Sequence, residues 1–93
     1  MNLEIKSIEF INEVNDSEND NVDISVNLSN GDRYAFTVFT LKNIACLMEK
    51  ENESFFYCPD ILIVKTITEE NIKKGIEHII KSGCLDSVGI KQE

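Results

Sequence analysis

The stretch Val22-Asp23-Ile24-Ser25-Val26-Asn27-Leu28-Ser29-Asn30-Gly31-Asp32-Arg33-Tyr34-Ala35-Phe36-Thr37-Val38-Phe39 decides the fold. Val22, Ile24, Val26 and Leu28 alternate with Asp23, Ser25 and Asn27, the period-two pattern of a strand with one apolar face. Ser29 to Asp32 are turn formers, and Arg33 to Phe39 reads as the return strand of a hairpin. Loop length decides which side chains meet. A two-residue Asn30-Gly31 loop sets Val26 opposite Ala35 and puts Tyr34, Phe36 and Val38 on the polar side. A three-residue Ser29-Asn30-Gly31 loop sets Val26 opposite Tyr34, Ile24 opposite Phe36 and Val22 opposite Val38. Only the second register makes one continuous apolar face, so burial selects it, with Gly31 in the left-handed position.

Upstream, Leu3 and Ile5 alternate with Glu4 and Lys6, then Ile8 and Phe10 take over the apolar parity. The slip near Ser7 predicts a strand over Leu3 to Ile11 with a bulge. Asn12 to Asn21 is polar apart from Val14 and reads as a solvated loop. Downstream, Leu41, Ile44, Ala45, Leu47 and Met48 recur at helical spacing, so Thr40 to about Asn52 is predicted helical with Thr40 as cap. Glu53 to Pro59 is a connector carrying Phe55, Phe56 and Tyr57. Asp60 to Ile67 is apolar on both parities and reads as a strand covered on both faces. Thr68 opens a second helix. Glu69 and Glu70 lie in its first turn and Lys73, Lys74 and Lys81 follow, as the helix dipole favours. Ile72, Ile76, Ile79 and Ile80 form its buried stripe, and Gly83 stops it. Leu85 to Glu93 is either a short strand or a frayed end. The fold class is α+β: an antiparallel sheet in the order β-β-β-α-β-α, packed by two helices.

The chain's 93 residues suit one domain spanning 1–93, and 42% hydrophobic residues are too many for a disordered chain. Asp and Glu number 17 against 9 Lys and Arg, a net charge of −8. That balance opposes binding to nucleic acid, which needs clustered cations, and to anionic membrane surfaces. No apolar run nears the ~20 residues of a membrane span; Ile61-Leu62-Ile63-Val64 ends at Lys65. Met1 to Lys6 carries charge and no apolar leader core, residue 2 is Asn and the last residues are Lys91-Gln92-Glu93, so neither a secretory leader nor a lipid anchor is expected. Cys46, Cys58 and Cys84 are odd in number and lack a C-x-x-C pair, so a reducing cytoplasm is expected.

Nothing in the chain spells an enzyme. His78 falls opposite the isoleucine stripe and is expected in solvent without a base or acid partner. His78, Cys58 and Cys84 lack the paired short spacings of zinc ligands, and Cys46 and Cys84 read as small core hydrophobes. No phosphate-binding, metalloprotease or nucleophile-elbow motif occurs. No catalytic residue, metal or cofactor is expected.

Charge placement is the informative feature. Between Lys6 and Arg33 there is no basic residue, while Glu9, Glu13, Asp16, Glu18, Asp20, Asp23 and Asp32 fill the interval. Such a run either steers a basic partner or keeps a loop soluble. As a recognition surface it nominates Glu13, Asp16, Glu18, Asp20 and Asp23, with Asp23 foremost because a strand holds it on the polar face. Glu49, Glu51 and Glu53, after the first helix, are the second choice. The aromatics of the Phe55-Phe56-Tyr57 connector are the fallback.

Two stretches carry a resemblance: Asn30-Gly31-Asp32-Arg33-Tyr34-Ala35-Phe36-Thr37-Val38-Phe39-Thr40, a hairpin return running into a helix, and Pro59-Asp60-Ile61-Leu62-Ile63-Val64-Lys65-Thr66-Ile67-Thr68-Glu69-Glu70-Asn71-Ile72, a strand running into a closing helix. In these, in size and in acidity, the chain resembles the small immunity proteins of bacterial toxin–immunity systems, including contact-dependent growth inhibition. The resemblance implies a cytoplasmic protein that binds one cognate toxin domain and blocks its active site or substrate surface. Many such toxins are nucleases with basic clefts. The competing expectation is a small structural or regulatory subunit that forms a homo-oligomer through free strand edges.

Overall fold

The computed structural model describes residues 3–93, so the reading of Met1 and Asn2 as free of leader and lipidation signals lies outside it. The elements run β1 Ile5–Phe10, β2 Asn21–Leu28, β3 Arg33–Thr40, α1 Leu41–Lys50, β4 Ile61–Val64, α2 Glu69–Lys81, α3 Leu85–Val88 and β5 Ile90–Gln92. The α+β class stands.

The hairpin takes the register that burial selects. Val22 faces Val38, Ile24 faces Phe36 and Val26 faces Tyr34. The Leu28 amide donates to the Asp32 carbonyl at 2.9 Å, closing a three-residue loop. Gly31 sits at φ +92°, open to glycine at no steric cost. In β1 the register with β2 slips between Ile5 and Ser7, the bulge predicted from the parity change. It returns Ile8 opposite Val26, on the apolar side.

The sheet itself corrects the antiparallel expectation. Its order is β1-β2-β3-β4, and β4 runs parallel to β3, Thr37 facing Ile61 and Phe39 facing Ile63. A helix lies between these two strands in sequence. With the connector after it, the helix brings the chain back only as far as Thr37, midway along β3, and from there β4 runs in the direction of β3; parallel neighbours need a crossover of this kind. The element order also extends past the second helix. The segment after Gly83 forms α3 and then β5, which pairs antiparallel with the first half of β3. Thus β4 and β5 share one flank of β3.

β4 is shorter and barer than its sequence suggests. It spans four residues and lies at the sheet edge, with Ile63 50% exposed. Leu62 and Val64 point into the core, whereas Ile61 and Ile63 share the opposite face with Thr37 and Phe39. Both parities are apolar because the strand serves two different surfaces.

One core lies on the even-numbered face of the hairpin. It joins Val22, Ile24, Val26, Leu28, Tyr34, Phe36 and Val38 to Val64 and Ile67, with Ile72 and Ile76 of α2 and Leu85 of α3 as the cover. Thr68 caps α2 by accepting from the Asn71 amide at 3.1 Å. Ile72 and Ile76 are fully buried, Ile79 and Ile80 pack at the margin, and His78 is exposed.

The C-terminal segment is fastened to the hairpin by Tyr34. Its hydroxyl donates to the Asp86 carboxylate at 2.5 Å, and that bond, with burial, pushes the phenol up to about 12. A Cβ on Gly89 would stand 2.7 Å from the Phe36 ring, which is itself buried. Gly89→Ala is therefore expected to cost about 1–3 kcal/mol, the usual range for overpacking. Urea denaturation reads it; an unchanged midpoint would mean that the segment does not rest on Phe36.

Candidate functional site

The odd-numbered face of the sheet carries the candidate surface. Strand register lays its side chains in rows. Glu9, Ser25, Ala35 and Ile90 form one row; Asp23, Thr37 and Ile61 form the next; Asn21, Phe39 and Ile63 form the last. Successive rows on one face are about 7 Å apart. α2 and α3 pack on the other side, and only α1 flanks this face, at the end where β3 runs into it.

α1 fills less of the core than its periodicity suggests. Thr40, fully buried, caps it by accepting from the Asn43 amide at 3.1 Å. Of the predicted stripe only Ile44 is buried, and Leu41 is 67% exposed. Phe56 packs edge-on against Phe39, with ring centroids 5.0 Å apart. Between α1 and β4 this leaves an apolar groove of about 430 Å³. Tyr57, 82% exposed, stands at its lip and stacks on Phe55. Among the described residues, every exposed large hydrophobic side chain except Phe10 lies on this face or around this groove: Ile11, Leu41, Phe55, Tyr57, Ile63 and Ile90. Patches of this kind mark interaction surfaces.

Beside the groove sit two carboxylates. The Thr37 hydroxyl donates to Asp23 Oδ1 at 3.1 Å and lies 3.5 Å from Asp60 Oδ2. A hydroxyl has one proton, so it serves one carboxylate fully and leaves the other short of a donor. Burial and the neighbouring Asp23 charge raise the Asp60 pKa, partly offset by the Thr37 bond. Asp60 also holds a left-handed backbone, φ +50°, and its carbonyl accepts from the Thr37 amide at 2.9 Å. Sequence reading put Asp23 on this face but missed Asp60. The signal available was a non-glycine residue between a proline and an apolar run, a position where aspartate tolerates αL.

The other nominated acids are dispersed. Glu13, Asp16 and Glu18 are exposed on the β1–β2 loop, and Glu49, Glu51 and Glu53 are exposed at and beyond the far end of α1. The loop is fastened. The Ile67 amide donates to the Ser17 carbonyl at 2.7 Å, and Asn43 Nδ2 to Asn19 Oδ1 at 3.1 Å. Asp16 accepts from the Glu18 amide at 3.0 Å. Asp20 accepts from the amides of Asn15 at 2.9 Å, Asp16 at 3.3 Å and Asn21 at 2.8 Å. These bonds, Asn15 first and then Asn21, lower its pKa. Asp20 thus organises its own loop.

A lowered folded pKa has a definite sign. The contribution of Asp20 is present above its unfolded value near 3.9 and is lost as pH falls through the folded one. Asp20→Ala should cost about 1–3 kcal/mol at pH 7, for a charged acceptor of amide bonds. The gap from the parent protein should shrink below about pH 4. Denaturation at both pH values measures it; a gap that widens in acid would contradict the assignment.

The cysteines correct a further expectation. Cys46 and Cys84 are exposed, not core. Cys46 lies on the flank of α1 away from Ile44, where its sulfur accepts from Asn19 Nδ2 at 3.6 Å, and Cys84 precedes α3. Among the described residues no three His, Cys, Asp or Glu side chains converge as metal ligands, and no helix is long and apolar enough to cross a membrane. A wider depression of about 830 Å³ between the start of β1 and α2 is lined by Lys73, Glu77 and Lys81 among others, with charges of mixed sign. It selects no one ligand charge. No known family, characterised protein or solved structure matches the chain.

Proposed function

We propose that the chain is a protein-binding module that covers a basic surface of one partner with the odd-numbered face of its sheet. The observation that carries this reading is the concentration of exposed apolar side chains on one face, beside Asp23 and Asp60. Apolar anchors supply affinity, and carboxylates at their border select a cationic partner and speed encounter. A net charge of −8 on each copy opposes self-association and favours an oppositely charged partner.

The resemblance to immunity proteins extends the proposal to the kind of partner. It is a cognate bacterial toxin domain, such as a nuclease with a basic cleft, neutralised stoichiometrically in the cytoplasm. No chemistry by the chain itself is part of this role.

The test is co-expression with the product of the adjacent gene, followed by an activity assay of that product. The expected result is a 1:1 complex and loss of activity at one equivalent of the chain. No complex, or full activity at large excess, overturns the reading.

A further inference from the structure

We propose that the groove between α1 and β4 receives a bulky apolar side chain of the partner while the neighbouring Asp23–Thr37–Asp60 row receives an Arg or Lys from the same segment. The inference rests on the binding-face reading above and specifies what that face recognises.

The groove has room for a large apolar side chain. Leu41, Ile44 and Met48 wall it from α1, and Phe56, Tyr57 and Ile63 from the connector and β4. Phe56 is backed by Phe39, which it meets edge-on. Leu41, Tyr57 and Ile63 remain largely exposed, so apolar area is left for an occupant to cover.

The adjoining row sets the charge of that occupant. Thr37 and Ile61 pair one row before Phe39 and Ile63, and both Ile61 and Ile63 line the groove, so the row that holds the carboxylates runs along its border. Successive rows are about 7 Å apart, the spacing of side chains i and i+2 of an extended peptide, so one segment reaches the Ile63 end of the groove and the carboxylate row together. Asp23, exposed, and Asp60, half-buried, flank one Thr37 hydroxyl, and a guanidinium or ammonium with several donors complements the two neighbouring carboxylates in charge. A carboxylate there would be repelled. A second copy of the chain would bring a second charge of −8 to the same place.

Two-dimensional NMR of the ¹⁵N-labelled protein tests this without the partner. The probes are N-acetyl-Phe-Ser-Arg amide and the control N-acetyl-Phe-Ser-Glu amide. The expected result is saturable shifts at Leu41, Thr37, Asp60 and Ile63, with the Arg peptide binding about two- to fivefold tighter, the scale of one exposed charge pair. Asp23→Asn with Asp60→Asn should erase that preference and leave the groove shifts. Equal binding of both peptides, shifts confined to other surfaces, or none up to the solubility limit overturns the inference. So do groove shifts that depend on protein concentration alone, which would make a second copy the occupant. The wider reading fails separately: if the adjacent gene product forms a complex while the peptides do not bind, only this inference falls.

Discussion

Ile76→Ala is expected to lower the stability of the protein by about 2–5 kcal/mol, the range for truncating a fully buried isoleucine. Ile76 has no exposed surface, and with Ile72 it forms the centre of the α2 face that covers the hairpin. The neighbouring Gly75 lets Leu62 of β4 approach so closely that an added Cβ would meet Leu62 Cδ1 at 3.1 Å. α2 is thus already in close contact with β4 beside Ile76, and the cavity term should persist. For a small domain with ~5–15 kcal/mol in total, that loss moves the unfolding midpoint far. His78→Ala, on the exposed side of the same helix, should stay within about 0.5 kcal/mol and serves as the control. A loss under about 0.5 kcal/mol for Ile76→Ala would mean that α2 does not pack as described.

The second large effect is on binding, and it comes with a distinguishing sign on stability. Asp60→Asn should weaken the complex while raising the melting temperature of the free protein. The folded pKa of Asp60 is raised by burial and by Asp23, so its favourable contribution belongs to the protonated form. That contribution is present below the unfolded value and lost as pH rises through the folded one; at neutral pH the ionised group opposes folding. Asparagine removes the charge, keeps polar contacts to Thr37 and tolerates φ +50°. Asp23→Ala should raise the dissociation rate at least about 30-fold, equivalent to ~2 kcal/mol, because a partner cation is left buried and unpaired. If either carboxylate acts at the rim, the change appears in the association rate and its salt dependence. Surface-bound kinetics at two salt concentrations separate these outcomes. Unchanged on-rate, off-rate and salt slope in both variants would make the pair a solubilising feature only.

The division between what the sequence showed and what it hid follows the range of the interactions. The β2–β3 register, the β1 bulge, the Thr40 cap of α1 and the start and stripe of α2 rest on local periodicity and turn chemistry, and all were legible. The direction of β4 was not, because it depends on where a crossover returns the chain. Its apolar run also fits two environments: a strand covered on both faces, or a strand with one face in the core and one forming a groove. The periodic residues of α1 were visible, but periodicity does not reveal whether a stripe is fully covered, and Leu41 is not. Asp23 was placed correctly by parity alone. Asp60 joins it only through the parallel β3–β4 pairing that sets Thr37 beside Ile61. Asp20 looked like one more free acid. Its capture by three amides is a feature of loop conformation that composition does not show.

Amide hydrogen exchange of the chain, alone and in complex with the adjacent gene's product, shows which face of the sheet the partner covers. New protection is expected in β4, the Phe55-Phe56-Tyr57 connector and the start of α1, with the outer face of α2 unchanged. Protection confined to α2 around Lys73, Lys74, Glu77 and Lys81, with β4 and the connector exchanging as in the free protein, would contradict it.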